Sequence, residues 1–301
     1  MISRSHGVGV TLSARGRHPC GLCGQFRQLT RTHVPPQAAG NDKRVERAAD
    51  WIDSDRVRGA GRWLPGGLWV RGLCEDCNNW AGRASDLAYA DFAAQVRRLT
   101  STSARTLLVT PYGDPPAATF APGLVARCVM FGMFAIHPRL RFIFPELAQD
   151  LHGEASPGHG RIRWPARLGL RVGLSDPRAP RTALLKSGVS SVRVLGTRMS
   201  HHSFADIIFP PFTWSLVPLG APDPHLGLEA THLLADASDW VNYGPDRTIV
   251  DLRNLTRRFP ALLHPDFSGK DEWIELMGDS VTDAAAVIRL FAVECGLSAT
   301  R

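Results

Sequence analysis

Two Cys-x-x-C pairs, Cys20 with Cys23 and Cys74 with Cys77, are the residues best equipped for chemistry in this sequence. Each short knuckle aims two sulfurs at one point, and two knuckles close a tetrahedral thiolate site, the donor set of structural zinc. One pair alone would carry little weight; two are a strong signal. The pairs lie about 50 residues apart, more than a simple zinc ribbon needs. The metal is therefore expected to tie the base of a module rather than to form the whole of it. Between the pairs, His33 precedes Val34-Pro35-Pro36, and Asn78 and Asn79 directly follow the last cysteine. A neutral imidazole accepts a proton near pH 7, and an Asn amide oxygen suits a hard cation such as Mg2+ or Mn2+. Both residue types have plainer uses. A histidine beside a knuckle can be a satisfied structural residue, and Asn is a good helix N-cap.

Thr32-His33-Val34-Pro35 and Leu73-Cys74-Glu75-Asp76-Cys77-Asn78-Asn79-Trp80-Ala81-Gly82 together resemble the two halves of the HNH endonuclease motif in its zinc-stapled branch. They also resemble uncharacterised bacterial HNH-like proteins with His-Val-Pro-Pro and Cys-Asn-Asn segments. The resemblance covers roughly the first third of the chain. It implies a ββα-metal module that hydrolyses phosphodiester bonds in nucleic acid, double-stranded DNA first. It also implies a structural Zn2+ on Cys20, Cys23, Cys74 and Cys77, and a catalytic Mg2+ or Mn2+. In that reading His33 is the general base, Thr32 stands at a ligand position, and Asn78 and Asn79 help to hold the divalent cation.

Three positions depart from the family's pattern. Thr32 stands where the family supplies Asp, Glu or His, no Asn occurs from Leu68 to Gly72, and Ala81 replaces a Lys. Asp42, Glu75 and Asp76 are the acids that could supply the missing ligand charge. The alternative is a catalytically inactive, zinc-stapled protein that binds nucleic acid or regulates. A third reading makes the module a purely structural one that binds another protein.

Charge points to a polyanion. The net charge is +7, and residues 1–104 hold 15 Arg and Lys against 9 Asp and Glu. The first acid is Asp42, so Arg4, Arg15, Arg17, Arg27 and Arg31 meet no local compensation. Arg15, Arg17, Arg27, Arg31 and Arg83 are the candidate phosphate contacts, because neutralising phosphates releases counterions. The plainer account is compositional, since Arg outnumbers Lys 32 to 3 throughout. No apolar run reaches the length of a membrane span, and the first residues lack an apolar signal core. A cytosolic setting is expected, in which clustered cysteines mean metal more than disulfides. Oligomeric state is not legible.

The elements that must position these residues give an α+β fold. A flexible basic arm is expected over 1–17, a zinc-stapled HNH-like module over 18–104, and a domain of helices and antiparallel sheet over 105–301. His18 to Val34 should form a knuckle and a short hairpin leading to His33, with Pro35 and Pro36 holding the backbone extended. Asn41 or Asp42 could cap a short helix from Lys43 to Ile52, and Trp63 and Trp69 read as core. From Asn79 onward, Leu87, Tyr89, Phe92, Val96 and Leu99 approach helical spacing, with Asn78 and Asn79 at the helix start, where anions are favoured.

Further on, a linker is expected over 100–122 with a short strand at Thr106 to Thr110. Helices are expected over Leu124–Ile136, stopped by His137, over Pro145–His152 and over Val281–Cys295. Strands are expected near Leu168–Leu174, Val189–Leu195, Ala205–Phe209 and Thr213–Pro218, with Pro210-Pro211 interrupting an edge. His201 and His202, followed by Asp206, read as a polar turn, and Cys128 and Cys295 as core thiols.

Overall fold

Arg17–Pro19 (β1) and Phe26–His33 (β2) pair as an antiparallel hairpin, and the first cysteine pair forms its turn. The computed structural model describes residues 16–47, 62–102, 117–153, 160–166, 168–174, 182–192, 200–218, 235–252 and 273–279. On its other side β2 pairs with Trp69–Cys74 (β5), which runs directly into the long helix Glu75–Thr102 (α1). Two antiparallel strands and the helix that follows thus carry His33 at one strand end and Cys74 at the other. Glu75 and Asp76 fill the first helical turn, where carboxylates suit the positive end of the dipole.

The buried face of α1 is Ala81, Ser85, Tyr89, Phe92, Ala93 and Val96, a run of three- and four-residue steps along one side of the helix. Leu87 does not belong to it and is 75% exposed. Five residues before Phe92 places it about 140° around the helix from that residue. Phe92 instead stacks between Phe120, at 3.9 Å, and Phe212, at 4.6 Å between ring centroids. Trp240 meets the same group edge-on.

Those partners belong to later elements. Ala117–Phe120 (β6) leads into Pro122–Ile136 (α2), and two short helices follow, Leu140–Ile143 (α3) and Pro145–Gly153 (α4). Proline at the first position of α2 costs no hydrogen bond there, and the helix stops at His137 as expected. It is apolar and buried on nearly all sides, as a core helix should be. Its one buried cation, Arg127, donates to the carbonyls of Gly123, Tyr243 and Gly160.

The main sheet uses Val45–Arg47 (β3), Arg62–Leu64 (β4), Leu168–Leu174 (β7), Thr182–Val192 (β8), Ser200–Phe209 (β9), Phe212–Pro218 (β10), Ala235–Asp236 (β11) and Trp273–Asp279 (β13). Its order is β11-β7-β10-β9-β8-β13-β3-β4; Thr248–Asp251 (β12) pairs with β6 separately. A single hydrophobic cluster runs from Cys20 to Leu252, so elements on both sides of residues 103–116 pack on one another.

Several expectations are corrected. Val45–Arg47 is a strand, not part of a helix from Lys43, because it is held between β4 and a parallel partner, β13. The sheet is therefore mixed rather than wholly antiparallel. His201 and His202 lie within β9, paired with β8, and not in a turn. Pro210-Pro211 is the turn joining β9 to β10, both interior to the sheet. The expected strand near Val189–Leu195 begins earlier, at Thr182. Arg15, the expected strand at Thr106 to Thr110 and the expected helix at Val281 to Cys295 lie outside the described residues. Cys128 is buried, as read.

Candidate metal centre and the cleft beside it

The knuckle closes through Gly24 N–H to the carbonyl of Cys20, at 2.9 Å, and Cys20 N–H to that of Gln25, at 3.0 Å. Gly24 has φ +74°, a left-handed conformation that glycine adopts without penalty. The pairing of Leu29 with Cys74 then brings the end of β5 beside the knuckle, and one helical turn adds Cys77. All four sulfurs lie within 4.8 Å of one another, and those of Cys23 and Cys74 are 3.8 Å apart. A tetrahedron with Zn–S bonds of about 2.3 Å has edges of about 3.8 Å. The thiols are free, and the Cys74 N–H points at the Cys20 sulfur, 3.3 Å away. The neighbouring Cys77 thiol first, then the N–H groups of Cys74, Leu22 and Cys23, hold the Cys20 thiol low against the effect of burial, while the bond to Cys20 first, and burial with it, push the Cys77 thiol up. Thiolate is the ligating form. These four cysteines could hold a metal ion such as zinc.

Beside the thiols, a cleft of about 710 Å³ opens between the end of β2, the first turns of α1, and α2. His33, Asn78, Asn79, Thr32, Arg31 and Arg83 all line it. His33 is half-buried, and its Nε2 lies 2.9 Å from the Gly66 carbonyl oxygen. A carbonyl only accepts, so Nε2 carries the hydrogen and Nδ1 is left as an acceptor. Burial first, and the charge on Arg31 with it, lower the His33 pKa against the pull of that carbonyl. The ring is therefore neutral near pH 7.

The Asn78 amide nitrogen donates to the Arg31 carbonyl, 3.1 Å away, which turns its oxygen away from that bond. Both asparagines lie inside the first turns of α1, past the N-cap, because the helix begins at Glu75. Thr32 is buried, and its hydroxyl has no hydrogen-bond partner among the described residues.

Two residues of this region have roles that sequence reasoning does not give them; Asn41, expected as a helix cap, precedes a strand. Asn41 is buried; its amide donates to Pro35 O at 2.5 Å and Leu68 O at 2.8 Å and accepts from Leu68 N at 2.6 Å. It clips together the loops on either side of His33, although it lies far before the segment in which an Asn was sought. The second is Asp86, the only acid among the described residues that line the cleft. The three acids expected to supply ligand charge do not line it. Asp42 pairs with Lys43, Asp76 pairs with Arg27, each at 3.3 Å, and Glu75 is exposed. Position i+4 from Gly82 on the asparagine face was the available signal for Asp86.

The arginines divide. Arg31 and Arg83 line the cleft, and Arg83 Nε also donates to the Asn79 carbonyl at 3.3 Å. Arg31 lies 4.5 Å over the Trp69 ring, which is buried, in keeping with its reading as core. Arg17 and Arg27 lie elsewhere on the hairpin, Arg17 donating to Phe26 O and Arg27 paired with Asp76. Among the described residues no helix is long and apolar enough to cross a membrane. Comparison with protein-family models, curated proteins and solved structures gave no match to this chain.

Proposed function

We propose that the protein is a metal-dependent, HNH-like endonuclease that hydrolyses phosphodiester bonds in nucleic acid, with Cys20, Cys23, Cys74 and Cys77 holding a structural Zn2+. The observation that carries the proposal is the convergence of His33, Asn78, Asn79, Arg31 and Arg83 on one cleft beside a four-thiol cluster. Zinc with four thiolates has no open position, so the chemistry belongs to the cleft. There His33 Nδ1, the acceptor left by the Nε2 bond to Gly66, takes the proton of the attacking water. Arg31 and Arg83 receive the phosphate.

The donors also fit a hard cation. The Asn78 amide oxygen is left over once its nitrogen is bound to Arg31 O, and Asn79 lies beside it in the same cleft. Oxygen donors of this kind suit Mg2+ or Mn2+. Such a cation, held by Asn78 and Asn79, would neutralise charge on the scissile phosphate and the leaving oxygen.

The test is metal dependence. Protein carrying zinc but treated to remove other metals should cleave oligonucleotides only when Mg2+ or Mn2+ is restored. Equal cleavage with and without either cation would remove the divalent site. The second reading, binding without cleavage, is favoured by Thr32, a neutral and buried hydroxyl where the resemblance places a charged ligand.

A further inference from the structure

We infer, resting on the nucleic-acid reading above, that Arg71 holds a second backbone phosphate outside the cleft, so that the bound strand leaves the cleft across the β2–β5 pair. The pairing of these strands breaks register at one place. Thr30 pairs with Leu73 and Thr32 with Val70, so Arg71 and Gly72 together face the single residue Arg31. Two residues against one make a β-bulge, a device that re-aims a side chain and is common beside active sites. This bulge lies opposite Arg31, two residues before His33. It is held from behind. A Cβ on Gly72 would run into the Ala135 carbonyl of α2, and the Gly72 carbonyl accepts from Gly21 N–H at 2.8 Å.

What the bulge aims is a cation. The Arg71 guanidinium carbon lies 5.7 Å from the centre of the Trp69 ring, and that of Arg31 lies 4.5 Å from the same centre. Two cations thus share one indole, and like charges facing each other across a strand pair repel. Among the described residues no Asp or Glu is seen to pair with either. The ring attracts both through its quadrupole but brings no net negative charge. An anion is the missing partner. Trp69 is buried, which keeps the platform fixed, while Arg31 is exposed and Arg71 half-buried. A guanidinium has five N–H donors, and the bond from Arg71 Nη1 to the Leu29 carbonyl, at 3.0 Å, uses one of them. That bond orients the head and leaves donors for the oxygens of a phosphate. Arg31 lines the cleft and Arg71 does not. Arg31 therefore joins two seats, one shared with Arg83 inside the cleft and one shared with Arg71 beyond its rim.

The test uses the full zinc-loaded chain and labelled 20-mers of DNA and RNA, single-stranded and paired, with Ca2+ as the divalent ion. Arg71→Gln removes the charge and keeps a donor for the Leu29 carbonyl. It should lower the slope of log K against log salt by about 1, so that its deficit against wild type shrinks about 3.5-fold between about 50 and 200 mM salt. Arg71→Lys, which keeps the charge, should retain the wild-type slope. Arg163→Gln is the control, since Arg163 is already paired with Asp150 and does not line the cleft; its slope should not change. In Mg2+ or Mn2+, Arg71→Gln should raise KM at unchanged kcat, because a flanking phosphate is held equally in ground and transition states. An unchanged slope in Arg71→Gln overturns the inference and leaves the nuclease reading standing. A slope lost equally in Arg71→Lys or in Arg163→Gln does the same, since charge at this position would not be the cause. A fall in kcat at unchanged KM places Arg71 on the scissile phosphate and overturns the second seat. Failure of the wild type to bind any nucleic acid overturns both readings.

Discussion

The ring of His33 is tethered to the backbone of Gly66, Nε2 to carbonyl oxygen at 2.9 Å, and Asn41 holds both ends of that tether in place. Asn41 bonds Pro35, two residues after His33, and Leu68, two residues after Gly66. The orientation of the imidazole therefore depends on a side chain that never touches it.

Asn41→Ala removes three buried hydrogen bonds and leaves the Pro35 and Leu68 groups without their partner. The expected cost is on the order of 2–3 kcal/mol, measured by thermal or denaturant unfolding. Cleavage should fall through kcat with little change in KM, because substrate contacts are untouched. A variant as stable and active as wild type would show that the clip does not position His33.

The pH profile follows from the neutral ring. A general base works only deprotonated, and the His33 pKa in the fold lies below 6.5. Cleavage should therefore be flat through pH 7 and fall as the pH drops through a value below 6.5. An acid limb centred above pH 7 would point to a different base.

Asp86 gives an opposite signature in stability. Its pKa in the fold, about 6, is above the ordinary 3.8, so the folded state binds the proton more tightly. The stability it contributes is present below about pH 4 and lost as the pH rises through 6. Asp86→Asn should thus stabilise the protein at pH 7.5, on the order of 1 kcal/mol given partial solvent screening, with the gain shrinking toward pH 4. Unfolding curves at both pH values check it.

Zinc removal should be felt far from the thiols. Cys20, Cys74 and Cys77 belong to the hydrophobic cluster that extends to Leu252, and binding to folded ligands is itself folding free energy. Metal analysis should find about one zinc per chain. Stripping it with a strong chelator should lower the melting temperature by well over 10 °C, or unfold the protein. A metal-free chain of unchanged stability would contradict a structural role.

For the arginines, the salt dependence of binding separates cleft from rim. Arg31→Ala and Arg83→Ala should each lower the slope of log K against log salt by about 1. Arg27→Ala should matter less, since Arg27 is already paired with Asp76. Equal effects from all three would show that the contact surface extends from the cleft onto the hairpin.

What could be read from the sequence was what local spacing encodes. The two cysteine pairs, the end of β2 at His33 and the span of α2 follow from short-range chemistry and periodicity. Leu87 was misplaced because a stripe counted from leucines drifts, whereas Ala81 and Ser85 mark the buried line that leads to Phe92. Val45–Arg47 became a strand because of β13, more than 200 residues away, and no local preference records such a partner. Asn41 and Asp86 were missed for the same reason. Their meaning comes from Leu68 and from Cys128, which only the folded chain brings beside them.

The most direct measurement is cleavage of an oligonucleotide in Mg2+ or Mn2+ by wild type and by His33→Ala, alongside zinc content and binding affinity. Wild type is expected to cleave. His33→Ala is expected to lose about 10²–10⁴-fold in rate, as loss of a general base should, at unchanged zinc and affinity. Cleavage by His33→Ala at the wild-type rate, or no cleavage of any single-stranded, paired or bulged substrate by wild type with either cation, would contradict the assignment of His33 as the base of a nuclease.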